Sequence, residues 1–257
     1  MAKTKVKETT EVAVKANTDL DRPSFIPQST EGLENVRQED LIIPRIVLEQ
    51  ALSPGVKGGT FAVGDLINSL SEELICPFGG SRLITPIKHW IEWIEWISRE
   101  DGGGIKARST DPTSELAKRC AANEKCMVQG REVPAVTEYH SFLVALVDGE
   151  TPSPEDVVCL SLGKTNHKVG RELLTKARQR QAPLDAGVYS LSAEEASNKK
   201  GDDYFIFKLG NAGFVNEEMF KVFGAEAKRL KDVTIYADAT ESTGTTGKDD
   251  LEDDELT

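Results

Sequence analysis

Hydrophobic and polar residues follow different patterns along the chain, and these patterns predict one ordered region between two polar arms. Runs of Val, Ile, Leu and Phe fall within residues 39–237, whereas residues 1–38 and 238–257 are polar and lack periodicity. Segments of that kind bury too little apolar surface to offset the chain entropy lost on ordering. We therefore expect disordered N- and C-terminal arms on a single domain spanning residues 39–237.

Strand patterns recur through this region. β-Branched and aromatic residues favour a strand at 82–98, although Trp90, Trp93 and Ile97 would also share one face of a helix. Pro44 interrupts the first apolar run, which indicates an edge strand or a bulge. Further strands are predicted at residues 40–48, 139–147, 157–162, 187–192 and 203–209, and residues 60–67 are predicted to form a short strand with a turn.

Two main helices are predicted at 165–180 and 216–231, where apolar side chains recur every three or four residues. A shorter helix is predicted within 111–125, where an Asp-Pro-Thr sequence supplies a start signal. Six or more strands without regular βαβ alternation indicate an α+β fold, built on an antiparallel sheet or a small barrel.

Charge is distributed unevenly along the chain. The net charge of −12 argues by itself against a protein that coats nucleic acid. However, residues 238–257 hold eight acids and one base, residues 1–40 carry −2, and the remaining body carries only −3. The segment 164–181 combines six bases with one acid. Its bases are Lys164, Lys168, Arg171, Lys176, Arg178 and Arg180.

No pattern in the sequence indicates catalysis. The chain lacks a G-x-S-x-G nucleophile elbow. Gly163, Lys164 and Thr165 match the end of a nucleotide-binding phosphate loop, but Val158 stands where its first glycine is required. The same three residues precede a predicted helix, whose N-terminus can hold one backbone phosphate. We expect no enzyme and no cofactor.

Metal binding is not expected either. A zinc ribbon has two close pairs of cysteines, whereas Cys120 and Cys126 form a single wider pair that could recruit His140 and His167. Free thiols are the favoured interpretation, and zinc at this pair stays an open alternative. His140 lies in an apolar strand, as core histidines do, and His89 has the pattern of a sheet surface.

A single-stranded nucleic acid fits the remaining features as a partner. Binding it requires a cationic surface and aromatic faces, on which each stacked base contributes about 1–3 kcal/mol. The basic segment supplies the cations. Because side chains alternate along a strand, about half of the aromatic rings should be core. The candidate stacking residues are Trp90, Trp93, Trp96 and Tyr204.

The layout of the chain resembles bacteriophage single-stranded DNA-binding proteins of the replication and recombination module. The resemblance implies an OB-like barrel with extra elements and a non-catalytic role in coating and protecting single-stranded DNA in the host cytoplasm. It also implies that the acidic tail binds replication proteins. The chain differs from acidic-tailed members that end in an aromatic residue, because its last residue is Thr257. The resembling segments are residues 40–45, 59–66, 90–96, 160–171, 204–209 and 249–257.

Two other functions stay open on the sequence. A virion or assembly protein would bind other proteins, show no affinity for oligonucleotides and form a stable homo-oligomer. A metal-dependent nuclease would need a carboxylate cluster that the sequence does not display. A membrane partner is not expected, because no run of about 18 apolar residues occurs.

Overall fold

The computed structural model describes residues 43–98, 103–128, 130–147, 157–198, 201–231 and 235. Both predicted arms, residues 1–38 and 238–257, lie outside the described residues. The strands are β1 Ile46–Leu48, β2 Leu66–Asn68, β3 Leu74–Cys76, β4 Arg82–Trp96, β5 Ile105–Ser109, β6 Lys125–Val128, β7 Arg131–Pro134, β8 Thr137–Leu146, β9 Val157–Gly163, β10 Gly187–Ser197 and β11 Asp203–Phe214. The helices are α1 Pro54–Lys57, α2 Glu115–Ala121, α3 His167–Gln179 and α4 Glu217–Arg229.

A six-stranded antiparallel sheet organises the domain. Its order is β11-β10-β4-β8-β9, and β5 pairs with the end of β4. The 15-residue β4 is central because it pairs with β10 at its start and with β8 over most of its length. The expected α+β fold with an antiparallel sheet is confirmed. The described strands form no closed barrel, since β9 and β11 stand at opposite edges.

Two smaller sheets complete the strands, with order β1-β2-β3 and β6-β7. The strand predicted around Pro44 is shorter than expected: the Pro44 carbonyl accepts from the amide of Cys159 on β9, and β1 begins at Ile46. The segment 60–67, predicted as a short strand with a turn, has its turn at Gly64, whose φ is positive (89°), and its strand β2 begins at Leu66.

Helices α3 and α4 cover opposite faces of the sheet, which follows from the alternation of side chains along β8. Phe142 packs in one buried cluster with Leu173 of α3. Ala145, on the opposite face, packs with Met219 and Phe223 of α4. Both main helices are confirmed at the predicted positions.

Capping side chains define the starts of two helices. The Asn216 side chain accepts from the amide of Met219 at α4, and the Ser114 side chain accepts from Ala117 at α2. The short helix is therefore confirmed, one residue after the predicted start signal. Within the described ranges, no helix is both long enough and apolar enough to span a membrane.

Candidate functional site

All three histidines of the chain meet on the sheet face that α3 covers. His89 comes from β4, His140 from β8 and His167 from the first turn of α3. The Nε2 atom of His89 lies 3.2 Å from Nδ1 of His140, and the ring centres of His140 and His167 are 4.6 Å apart. The structure thus forms one row of imidazoles from residues that are far apart in sequence.

Close packing of α3 on β8 creates this row. A Cβ atom at Gly170 would lie 2.7 Å from the Cβ of His140, so only glycine lets the helix approach at this point. Glu138 and His140 are two residues apart on β8 and share a face. His167, one turn before Gly170, consequently lies beside Glu138.

Both carboxylate oxygens of Glu138 have partners. Oε1 lies 3.1 Å from Nε2 of His167, and Oε2 accepts from the indole Nε1 of Trp93 at 3.1 Å. Trp93 is only 7% exposed and packs against α2, so its N–H needs an internal acceptor. Trp93 therefore orients Glu138 and offers no open face on which a base could stack.

A surface pocket of about 450 Å³ opens over this group. Burial lowers the pKa of His89 to about 4, with a further contribution from His140. Burial also lowers the pKa of His140, and His167 adds to this effect. His89 and His140 are therefore neutral at pH 7, and each keeps one nitrogen lone pair. The pocket is lined by Glu138, His140, His167, Arg171, Leu174 and Thr175.

Four of the six predicted cations form what we call the basic stripe: Lys164, Lys168, Arg171 and Arg178. All four are exposed, and no described acid forms an ion pair with them. The spacing of three and seven residues places Lys168, Arg171 and Arg178 on one side of α3, and Lys164 opens the 3-10 turn that precedes the helix. At a rise of about 1.5 Å per residue, the three cations on α3 span about 15 Å.

The other two cations hold α3 against the sheet. The Lys176 ammonium donates to the carbonyl of Leu209 at 2.6 Å and pairs with Glu172. The Arg180 guanidinium donates to the carbonyl of Gly213 and lies 4.5 Å from the ring centre of Tyr189. Lys176 and Arg180 therefore have structural partners and stand outside the stripe.

The structure does not bring the remaining candidate stacking residues to the basic stripe. Trp90 packs with Leu143 on the face that α4 covers, and Trp96 lies on that same face, its ring centre 6.4 Å from that of Tyr139. Tyr204 alternates with core residues of β11 and points away from α3 as well. These three rings are half-buried.

An aromatic residue near the helix was missed from the sequence. The Phe214 ring is 60% exposed at the end of β11, and the Arg180 guanidinium lies 5.0 Å from its centre. Phe214 lies in β11 because this strand pairs with the start of β10. The apolar pattern predicted a strand only at 203–209, so this extension of β11 was missed. Phe214 thus provides an open ring beside the C-terminal end of α3.

A comparison with known families identifies the family of this chain. A sequence model of the family described as Pam3 phage gp34-like protein matches residues 14–235. The chain belongs to this family. Comparison with curated proteins and with solved structures found no match. The family match supports the phage part of the expected resemblance, and its description mentions neither DNA nor a fold.

The two loop cysteines do not join the histidines. Cys120 lies on α2 and is half-buried, whereas Cys126 lies on β6 and is exposed. Burial raises the pKa of the Cys120 thiol. Across the part of the chain that the structure describes, no group of three metal-ligating side chains includes either thiol. The zinc alternative that combined these cysteines with His140 and His167 has no counterpart there.

Proposed function

We propose that this protein binds single-stranded DNA along the basic stripe of α3, and that it coats and protects such DNA during phage replication or recombination. The observation that carries the proposal is the set of four exposed cations along α3 and the turn before it, without ion pairs to described acids. Cations in this state contact phosphates without first losing an internal partner.

Phosphate contacts explain affinity but not a preference for single strands. That preference requires an open ring on which a base stacks. Phe214 replaces the tryptophans and Tyr204 in this role, because it is exposed and lies at the end of the same helix. The proposed interface therefore runs from Lys164 along α3 to Phe214.

The acidic segment 238–257 belongs to the same proposal. With eight acids and one base, it competes with DNA for the basic stripe and is released when DNA binds. The released segment then binds replication proteins in the host cytoplasm.

Titration of a fluorescently labelled oligo-dT at low salt tests the proposal, with anisotropy as the readout. The test variant is Lys168→Glu/Arg178→Glu, because neither residue lines the histidine pocket. We expect binding at least tenfold weaker and a salt slope reduced by about 0.7 for each cation removed. The matched control is Lys221→Glu/Lys228→Glu, which reverses two exposed cations of α4 on the other face of the sheet.

The outcomes separate the alternatives. Unchanged affinity in the α3 variant, or equal weakening in the α4 control, would rule out the stripe as the interface. Equal or tighter binding to a duplex of the same length would remove the preference for single strands. Absence of binding to any oligonucleotide, together with stable self-assembly, would favour a virion or assembly protein instead.

A further inference from the structure

We propose that Glu138, His140 and His167 bind one divalent metal ion, with zinc as the preferred ion. Each residue offers one ligand atom, and these atoms all lie within 4.8 Å of one another. Among the described residues this is the one group of three such ligands. The inference is independent of DNA binding and departs from the expectation, drawn from the sequence, that the chain holds no metal.

The distances suit a small tetrahedral ion. Bonds of about 2.0–2.1 Å to zinc place two ligands of a tetrahedron roughly 3.3 Å apart. Nε2 of His167 and Oε1 of Glu138 are already 3.1 Å apart. Bringing the three ligand atoms onto one centre requires a movement of about 1.5 Å at most. Because His140 is buried, this movement comes from rotation of the Glu138 and His167 side chains, which are each 32% exposed.

Neighbouring side chains orient the proposed ligands. The Nε2 atom of His89 lies 3.2 Å from Nδ1 of His140. The Nε2 atom of His140 has no hydrogen-bond partner among the described residues. The tautomer in which His140 Nδ1 donates to His89 keeps the Nε2 lone pair for a metal. Trp93 holds Oε2 of Glu138, so that Oε1 faces His167. In metal sites, hydrogen bonds from neighbouring groups generally fix the orientation of the ligands in this way.

The donor set selects the class of ion. Two imidazoles and one carboxylate suit zinc and similar first-row divalent metals, whereas magnesium and calcium prefer oxygen ligands. Three protein ligands leave a fourth position open towards the pocket. Arg171 lines that pocket, and its positive charge favours an anionic oxygen as the fourth ligand.

Calorimetric titration of the full-length protein tests the site, after chelator treatment and dialysis. We expect one zinc ion per chain and no comparable binding of magnesium. Glu138→Gln and His167→Ala should each weaken zinc binding at least about 100-fold. Even the loss of a residue that only hydrogen-bonds to a ligand lowers metal affinity about 10- to 100-fold. The matched controls Glu195→Gln and Gln179→Ala alter exposed residues outside the pocket and should keep the wild-type affinity.

Two further measurements keep the test decisive. A Cys120→Ser/Cys126→Ser variant should retain zinc, and loss of zinc there would assign the ion to the thiols instead. The wild-type protein has three histidines, so NMR of its imidazole nitrogens reports on the site without any substitution. One equivalent of zinc should shift the signals of His140 and His167. Unchanged imidazole signals, or unchanged affinity in both ligand variants, would overturn the proposal.

Discussion

The guanidinium of Arg108 on β5 pairs with the carboxylate of Glu92 on β4, with Nη2 and Oε1 2.5 Å apart. Glu92 is only 1% exposed. Burial raises the pKa of Glu92, and the charge of Arg108 acts in the opposite direction. The edge strand β5 thus compensates a buried charge in the central strand of the sheet.

Loss of this partner should be costly. Arg108→Ala leaves the Glu92 charge buried without its nearest cation, and we expect the free energy of unfolding in urea at pH 7 to fall by about 3–5 kcal/mol. Lys106→Ala, in the same strand, removes a side chain that is 62% exposed and should cost less than about 1 kcal/mol. Similar losses in both variants would contradict this assignment.

A second carboxylate of β4 makes stability depend on acid pH. Hydrogen bonds from Arg119 and then from Lys106 lower the pKa of Glu95 from 4.5 to about 2. A lowered folded-state pKa contributes stability above pH 4.5, and that stability is lost as the pH falls from 4.5 towards 2. After allowance for solvent screening, we expect on the order of 1–2 kcal/mol.

Urea unfolding at pH 7, 5 and 3 measures this contribution. Glu95→Gln should be less stable than the wild type at pH 7, and the difference should shrink by pH 3. The control Glu195→Gln changes an exposed carboxylate without an ion pair to any described residue and should show no such convergence. A difference that stays constant with pH would show that Glu95 contributes through packing alone.

The proposed stacking role of Phe214 is testable separately from the cations. Phe214→Ala should weaken oligo-dT binding by about 1–3 kcal/mol, because one stacked base is lost, while the salt slope stays the same. Phe220→Ala is the control, since this ring is 40% exposed but lies on α4. Equal effects of the two substitutions in the anisotropy titration would count against stacking of a base on Phe214.

Removal of residues 238–257 should tighten DNA binding. The truncated chain loses a net charge of −7 that competes for the basic stripe, so the gain should be largest at low salt and fade as the salt concentration rises. Anisotropy titrations of the full and truncated chains at two salt concentrations measure it. Weaker binding after truncation would instead indicate that the segment contributes to the interface.

The amino-acid sequence alone determined the long elements. Helices α3 and α4 repeat a helical period, β4 is rich in β-branched and aromatic residues, and β8 ends in a continuous apolar run. The sequence did not predict β3, β5, β6 and β7. These strands have three to five residues, several of them polar, and their pairing with a neighbouring strand decides their conformation.

Sequence also determined where positive charge accumulates, but only the tertiary structure decided which cations are available. Lys176 and Arg180 lie in the same segment as Lys168, but their side-chain N–H groups donate to backbone carbonyls of β11. The histidine group depended entirely on tertiary structure, since 51 residues separate His89 from His140 and 29 separate Glu138 from His167. The β4–β8 register and the close approach of α3 join them, and no local pattern encodes contacts over such separations.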